Sequence, residues 1–166
     1  MTATVPELHP SLVPIAGLLG TWEGRGTGSY PTIDEFGYRE VVVIGHGGKP
    51  FLTYQQQTWA LDDGRPLHAE VGYLRLPQPN RIEWVISHPT GVTEIDEGTL
   101  TVLSTGTLLH LTSSTIGLTA TAVEVTALER TLWVTADELQ YDLSMAAVGH
   151  RLTHHLTASL GRRPTP

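Results

Sequence analysis

The feature that most constrains this chain is its punctuation. From Gly20 onward, short alternating or β-branched runs are broken at nearly even intervals by turn-forming residues. The breaks are Gly47-Gly48, Asp62-Asp63-Gly64, Pro77-Gln78-Pro79-Asn80, Pro89-Thr90-Gly91, Ser104-Thr105-Gly106, Ala136-Asp137 and Val148-Gly149. Glycine reaches positive φ without steric cost, proline presets its own φ, and Asp and Asn side chains bond to nearby backbone, so each break is suited to a tight turn. The runs between them predict strands near 21–29, 37–46, 50–60, 67–76, 81–88, 91–103, 107–115, 121–134, 138–147 and 152–161. Strands in succession with hairpin-sized breaks make an antiparallel meander. A sheet of that length has two unpaired edges, and closing it on itself removes both. The expected fold is all-β, a ten-stranded antiparallel barrel. So many strands enclose more room than side chains fill, which predicts a ligand cavity.

Helical character is confined to the start. Pro10-Ser-Leu-Val-Pro14 and Ile15-Ala-Gly-Leu-Leu19 predict one short helical turn. Residues 1–10, with two prolines and little pattern, read as a loose leader, 11–162 as a single barrel domain, and 163–166 as a tail. A chain of 166 residues is long enough to bury one real core.

Composition removes several function classes. The chain has no cysteine, so disulfides, thiolate metal sites and cysteine nucleophiles are all excluded. Its net charge of −7 argues against nonspecific binding to nucleic acid or anionic membrane, both of which rest on basic surface. No apolar run reaches the length of a membrane span, and Met1-Thr-Ala-Thr-Val-Pro-Glu7 lacks the basic start and apolar stretch of a signal peptide. A cytoplasmic protein is expected. Ser87-His88 and Ser113-Ser114 lack the Gly-x-Ser-x-Gly context of a hydrolase nucleophile, and no catalytic acid or base stands out.

Three groups of residues could carry chemistry. Gly20, Gly24, Gly26 and Gly28 share one strand parity with Trp22, and such a run signals close approach of another backbone, a barrel bend or a flat ligand. His68 and His88 fall opposite one another if the intervening hairpin is centred on Gln78. They would suit zinc, a polar pocket or a shared hydrogen bond. Zinc needs further ligands, for which Glu70 and His155 are candidates, although no spacing demands them. The third group is Arg151-Leu-Thr-His-His-Leu-Thr-Ala-Ser-Leu160. Simple alternation there puts His154 on the face of Leu152, Leu156, Ala158 and Leu160, and His155 on the other. Taken simply, that points His155 to solvent, but a polar or ligand-filled lumen weakens the inference, so the facing of His155 stays open on pattern alone.

The residues also carry a resemblance. Gly20-x-Trp22-x-Gly24-x-Gly26, Gly28-x-Tyr30-Pro31-Thr32-Ile33 and Phe36-x-Tyr38-x-Glu40 resemble the opening of the nitrobindins. The similarity continues through Gly48-Lys-Pro-Phe-Leu-Thr-Tyr54, Leu67-His-Ala-Glu-x-Gly-Tyr73 and His88-Pro-Thr-Gly91, and closes with His155-Leu156-x-Ala158-x-Leu160. It implies a barrel of the fatty-acid-binding, lipocalin-like shape with one b-type haem per chain at its mouth. The family's proximal ligand maps onto His155 rather than His154, its haem-edge loop onto Thr32 and Ile33, and other pocket-lining positions onto His68, His88 and Met145. The doubled His154-His155 departs from the family pattern and leaves a one-residue ambiguity, which in a strand exchanges faces.

The implied activity is binding of nitric oxide at ferric iron and isomerisation of peroxynitrite to nitrate, with small molecules as partners. A single neutral imidazole suits that use, because it leaves the sixth position of the iron open. Two other readings stand beside it: a haem or nitric oxide carrier or sensor without turnover, and an iron-free carrier of an apolar molecule. The last would use a pair of lumen arginines for a ligand carboxylate, with Arg39, Arg75 and Arg130 available on strands. Trp59 and Trp133 read as ordinary barrel surface, with a homodimer as their alternative use.

Overall fold

The structure is a computed structural model that describes residues 6–164. Residues 1–5 of the expected leader and 165–166 of the expected tail lie outside the described residues. Among the described residues ten strands follow one 3₁₀ helix: β1 (Gly20–Tyr30), β2 (Ile33–His46), β3 (Leu52–Ala60), β4 (Pro66–Gln78), β5 (Arg81–Ser87), β6 (Val92–Leu103), β7 (Gly106–Leu118), β8 (Val125–Val134), β9 (Glu138–Ala147) and β10 (Thr153–Arg162). Each pairs antiparallel with the next, and β10 returns to β1 to close the barrel. The expected meander and its closure are both present. Most ends fall within two residues of expectation, and three move further: β2 begins at Ile33 rather than 37, β7 runs on to Leu118 rather than 115, and β8 begins at Val125 rather than 121. The first has a direct cause. Tyr30 pairs with Ile33 across Pro31-Thr32, so β1 and β2 form one continuous hairpin.

The 3₁₀ helix spans Pro10–Leu18, longer than the single turn expected. Pro14, inside the segment, has no N–H to donate, which denies it a regular α-helical ladder, while Pro10 is tolerated at the first position. It buries Leu12, Ile15 and Leu18 in a core cluster that includes Leu52, Leu74, Leu109 and Leu160. Side chains latch it to the barrel. The Trp22 indole donates to the Leu18 carbonyl at 2.9 Å. The Arg162 guanidinium lies 4.0 Å from the Trp22 ring and donates to the carbonyls of Gly17 and Leu19.

The glycines of β1 make room for neighbouring chain. A Cβ on Gly26 would sit 2.3 Å from Cζ of Tyr38, and one on Gly24 would sit 2.1 Å from the Ser159 carbonyl oxygen on β10. Of the three uses considered for this run, the contacts are those of close approach: rings of β2 and backbone of β10 fill the space. Trp59 and Trp133 are half-buried on the wall, Trp59 beneath the Arg39 guanidinium at 4.9 Å. Among the described residues, no helix is long and apolar enough to cross a membrane.

Candidate functional site

A cavity of about 650 Å³ opens among the hairpin turns at the barrel mouth, a size suited to a small organic ligand or cofactor. His155, His68, His88, Met145 and Ile33 all line it. Thr32 is exposed on the β1–β2 turn, beside Ile33 but outside the lining. Much of the wall is apolar, including Phe36, Leu67, Leu128, Leu143 and Leu156.

His155 reaches this cavity because β10 is bulged. Thr153 pairs with Met145 and His154 with Ser144, but the next pair is Leu156 with Leu143. His155 is therefore the extra residue, left without a partner on β9. An inserted residue reverses the parity of everything before it relative to everything after it. His154 consequently points out, exposed, with Nε2 3.2 Å from Oδ1 of Asp142. His155 is half-buried and lines the cavity. Simple alternation, which put His154 on the face of Leu156, fails at this one residue.

The imidazole of His155 is held from behind. Its Nδ1 lies 3.0 Å from the carbonyl oxygen of Ser29 on β1. A carbonyl only accepts, so Nδ1 carries the hydrogen and Nε2 keeps a bare lone pair. Tyr30 meets the ring edge-on, with centroids 5.4 Å apart, and is fixed in turn by hydrogen bonds to the backbone of Met145 and Ala147. Burial pushes the His155 pKa below its ordinary value, against the opposing pull of the Ser29 carbonyl. A neutral ring with one nitrogen anchored and the other free is the arrangement a metal-ligating histidine adopts.

Deeper in the lumen is a polar network centred on Arg130. Its guanidinium donates to Glu94 at 2.5 Å, to Asp96 at 3.2 Å and to Glu70 at 3.4 Å. His88 Nε2 lies 2.7 Å from Glu94, and His88 Nδ1 lies 2.9 Å from His68 Nε2. Tyr54 donates to Glu70 at 2.9 Å, and Tyr141 and Gln56 donate to Glu40 at 2.8 and 3.0 Å. Although burial opposes it, the Arg130 charge and His88 hold Glu94 down to about 2. Burial and the neighbouring Glu94 charge push Asp96 up to about 8. One carboxyl of this pair is therefore ionised and the other protonated at neutral pH. Burial likewise raises Glu40 to about 7.

His68 and His88 meet as expected, but through a different register. Val71 pairs with Ser87 and a bulge between Arg75 and Gln78 displaces the hairpin centre from Gln78, so the two histidines reach each other diagonally. The lumen also holds ionisable groups that the sequence reading did not single out. Glu40, Glu94 and Asp96 are buried titratable groups, and their signal was parity: each sits on the inward face of its strand with apolar neighbours such as Tyr38, Val42 and Val92.

The lumen chemistry bears directly on an apolar acid as ligand. Of the three arginines considered, Arg39 pairs with Glu23, Arg75 with Glu83, and Arg130 alone lies inside. Three carboxyls already surround Arg130, so it offers no free charge to a fourth.

The closed wall, open cavity and anchored histidine define a barrel built to hold a prosthetic group or small ligand in its mouth. The model of the THAP4-like, heme-binding β-barrel domain matches residues 11–162. The chain belongs to that family. A peroxynitrite isomerase of Nocardia farcinica is 52% identical over 93% of this chain and 92% of its own length. Peroxynitrite isomerase 1 of Mycolicibacterium paratuberculosis is 55% identical over 95% of this chain and 98% of its own. The crystal structure of Rv2717c from M. tuberculosis superposes with a TM-score of 0.93 at 51% identity, covering 95% of this chain and 100% of that one.

Proposed function

We propose that this chain holds b-type haem in its open cavity through Nε2 of His155, and that the loaded protein isomerises peroxynitrite to nitrate and binds nitric oxide. The observation that carries this reading is the state of His155: Nδ1 spent on Ser29, Nε2 bare, the ring in a cavity of about 650 Å³. The residues present fit the group, since a flat apolar macrocycle needs one neutral axial donor and apolar walls. The names of relatives at 52% and 55% identity support the activity.

When bound, ferric haem supplies a Lewis-acidic centre with one coordination position open to a small anion. The chain does the rest. Ser29 fixes the tautomer and plane of His155, and Tyr30 braces its edge. Phe36, Leu128, Leu143 and Leu156 line the cavity and would exclude water from a group held there. Rearranging peroxynitrite to nitrate moves no proton overall, so no acid or base is required of the wall. Arg130, already compensated by Glu70 and Glu94, does not trap the anionic product.

Stopped-flow decay of peroxynitrite tests the reading. The ferric protein is expected to accelerate decay in proportion to its concentration and to raise the yield of nitrate over nitrite. Decay no faster than in buffer would remove the enzyme and leave a carrier or sensor.

A further inference from the structure

We infer that His68, Glu70 and His88 form a second metal site in the same cavity, separate from His155 and suited to a divalent cation of the zinc class. Among the described residues these three bring their donor atoms within 4.8 Å of one another. The edges of the triangle are 2.9 Å between His68 Nε2 and His88 Nδ1, and 3.7 Å from each of these to Glu70 Oε1. A point equidistant from all three lies about 2.0 Å from each, the length of a zinc–nitrogen or zinc–carboxylate bond. Two histidines and one glutamate are a donor set that leaves a fourth position for water or a small anion.

The surroundings favour a cation independently of that triangle. His88 Nε2 is 2.7 Å from the buried carboxylate of Glu94, which fixes the ring with Nδ1 turned to the triangle. Such a carboxylate behind a histidine raises the donor strength of its other nitrogen. Tyr54 ties down Glu70 Oε2, and Oε1 receives only the long 3.4 Å contact from Arg130, so it keeps a lone pair for a metal. Among the described residues Arg130 is the opposing charge paired with this cluster, and Glu70 and Glu94 together outweigh it. A cation would replace the hydrogen now shared by the two imidazoles, and His68, one-third exposed, can carry that hydrogen on Nδ1 instead.

The test is calorimetric titration of zinc alone into the full chain, freed of haem by acidified organic extraction and of metal by chelator, with folding of each refolded variant checked by circular dichroism. Expected is one zinc per chain, weakened at least tenfold by His68→Gln and by His88→Gln, and unchanged by His155→Ala. Cobalt(II) at the site should show the intense visible bands of a four- or five-coordinate ion, absent in His68→Gln. Lack of saturable zinc binding overturns the inference, as does binding lost with His155→Ala but kept with His68→Gln. Because the chain is tested without haem, this result stands apart from the outcome of any haem titration.

Discussion

Nδ1 of His155 on the last strand sits 3.0 Å from the carbonyl oxygen of Ser29 on the first. That hydrogen bond crosses the seam where the barrel closes, so the ring is oriented only once β10 has docked on β1. It also depends on one extra residue. Thr153 and Leu156 pair with the inward Met145 and Leu143, and His155 enters the lumen between them because the ladder is bulged.

Deleting one histidine of the pair tests the bulge. Removing His154 or His155 yields the same sequence, Thr-His-Leu, and restores regular pairing. The surviving imidazole should then face out opposite Ser144. The expected variant keeps its β circular dichroism and cooperative unfolding but gives no hemin-dependent Soret shift. A shift equal to that of the parent chain would show that the bulge does not deliver the ligand.

Arg130 is surrounded by Glu70, Glu94 and Asp96 and is almost wholly buried. Replacing it by Met leaves the Glu70 and Glu94 carboxylates without a counter-charge. A loss of about 3–5 kcal/mol in urea unfolding at neutral pH is expected, as for breaking a buried ion pair. A loss below about 1 kcal/mol would mean that the acids simply take up protons and the network contributes little.

Glu40 gives stability a pH dependence. Burial raises its carboxyl from the ordinary 4.5 to about 7, although Tyr141 and Gln56 both favour the ionised form. Between those values the folded chain keeps a proton that the unfolded chain has released. Stability contributed by Glu40 is therefore present in full below 4.5 and falls as pH rises through 7, by on the order of 1–3 kcal/mol. In Glu40→Gln this decline should be missing, so the variant loses less stability than the parent chain between pH 5 and 7.5 in denaturant melts. Parallel curves would contradict the assignment.

The barrel was legible because turn chemistry and period-two alternation are local, and both recur at every hairpin from β1 to β10. The site was legible in pieces. His68 and His88 were paired from hairpin spacing, and they do meet, although the hairpin bulge between Arg75 and Gln78 made the assumed register wrong. The facing of His155 was not readable from the residues, because a bulge is set by which partners β9 offers and leaves no mark in the alternation of β10 itself. The Arg130 network was hidden for another reason. Glu40, Glu94 and Asp96 look like surface residues until the barrel is closed, and only their shared parity with Tyr38, Val42 and Val92 marks them as inward.

The most direct test of the central claim is hemin titration of two single variants that differ by one position. His155→Ala should lose the Soret band of the ferric complex, while His154→Ala, altered on the outer face beside Asp142, should keep it. Loss with His154→Ala and retention with His155→Ala would contradict the account and move the ligand to the neighbouring residue.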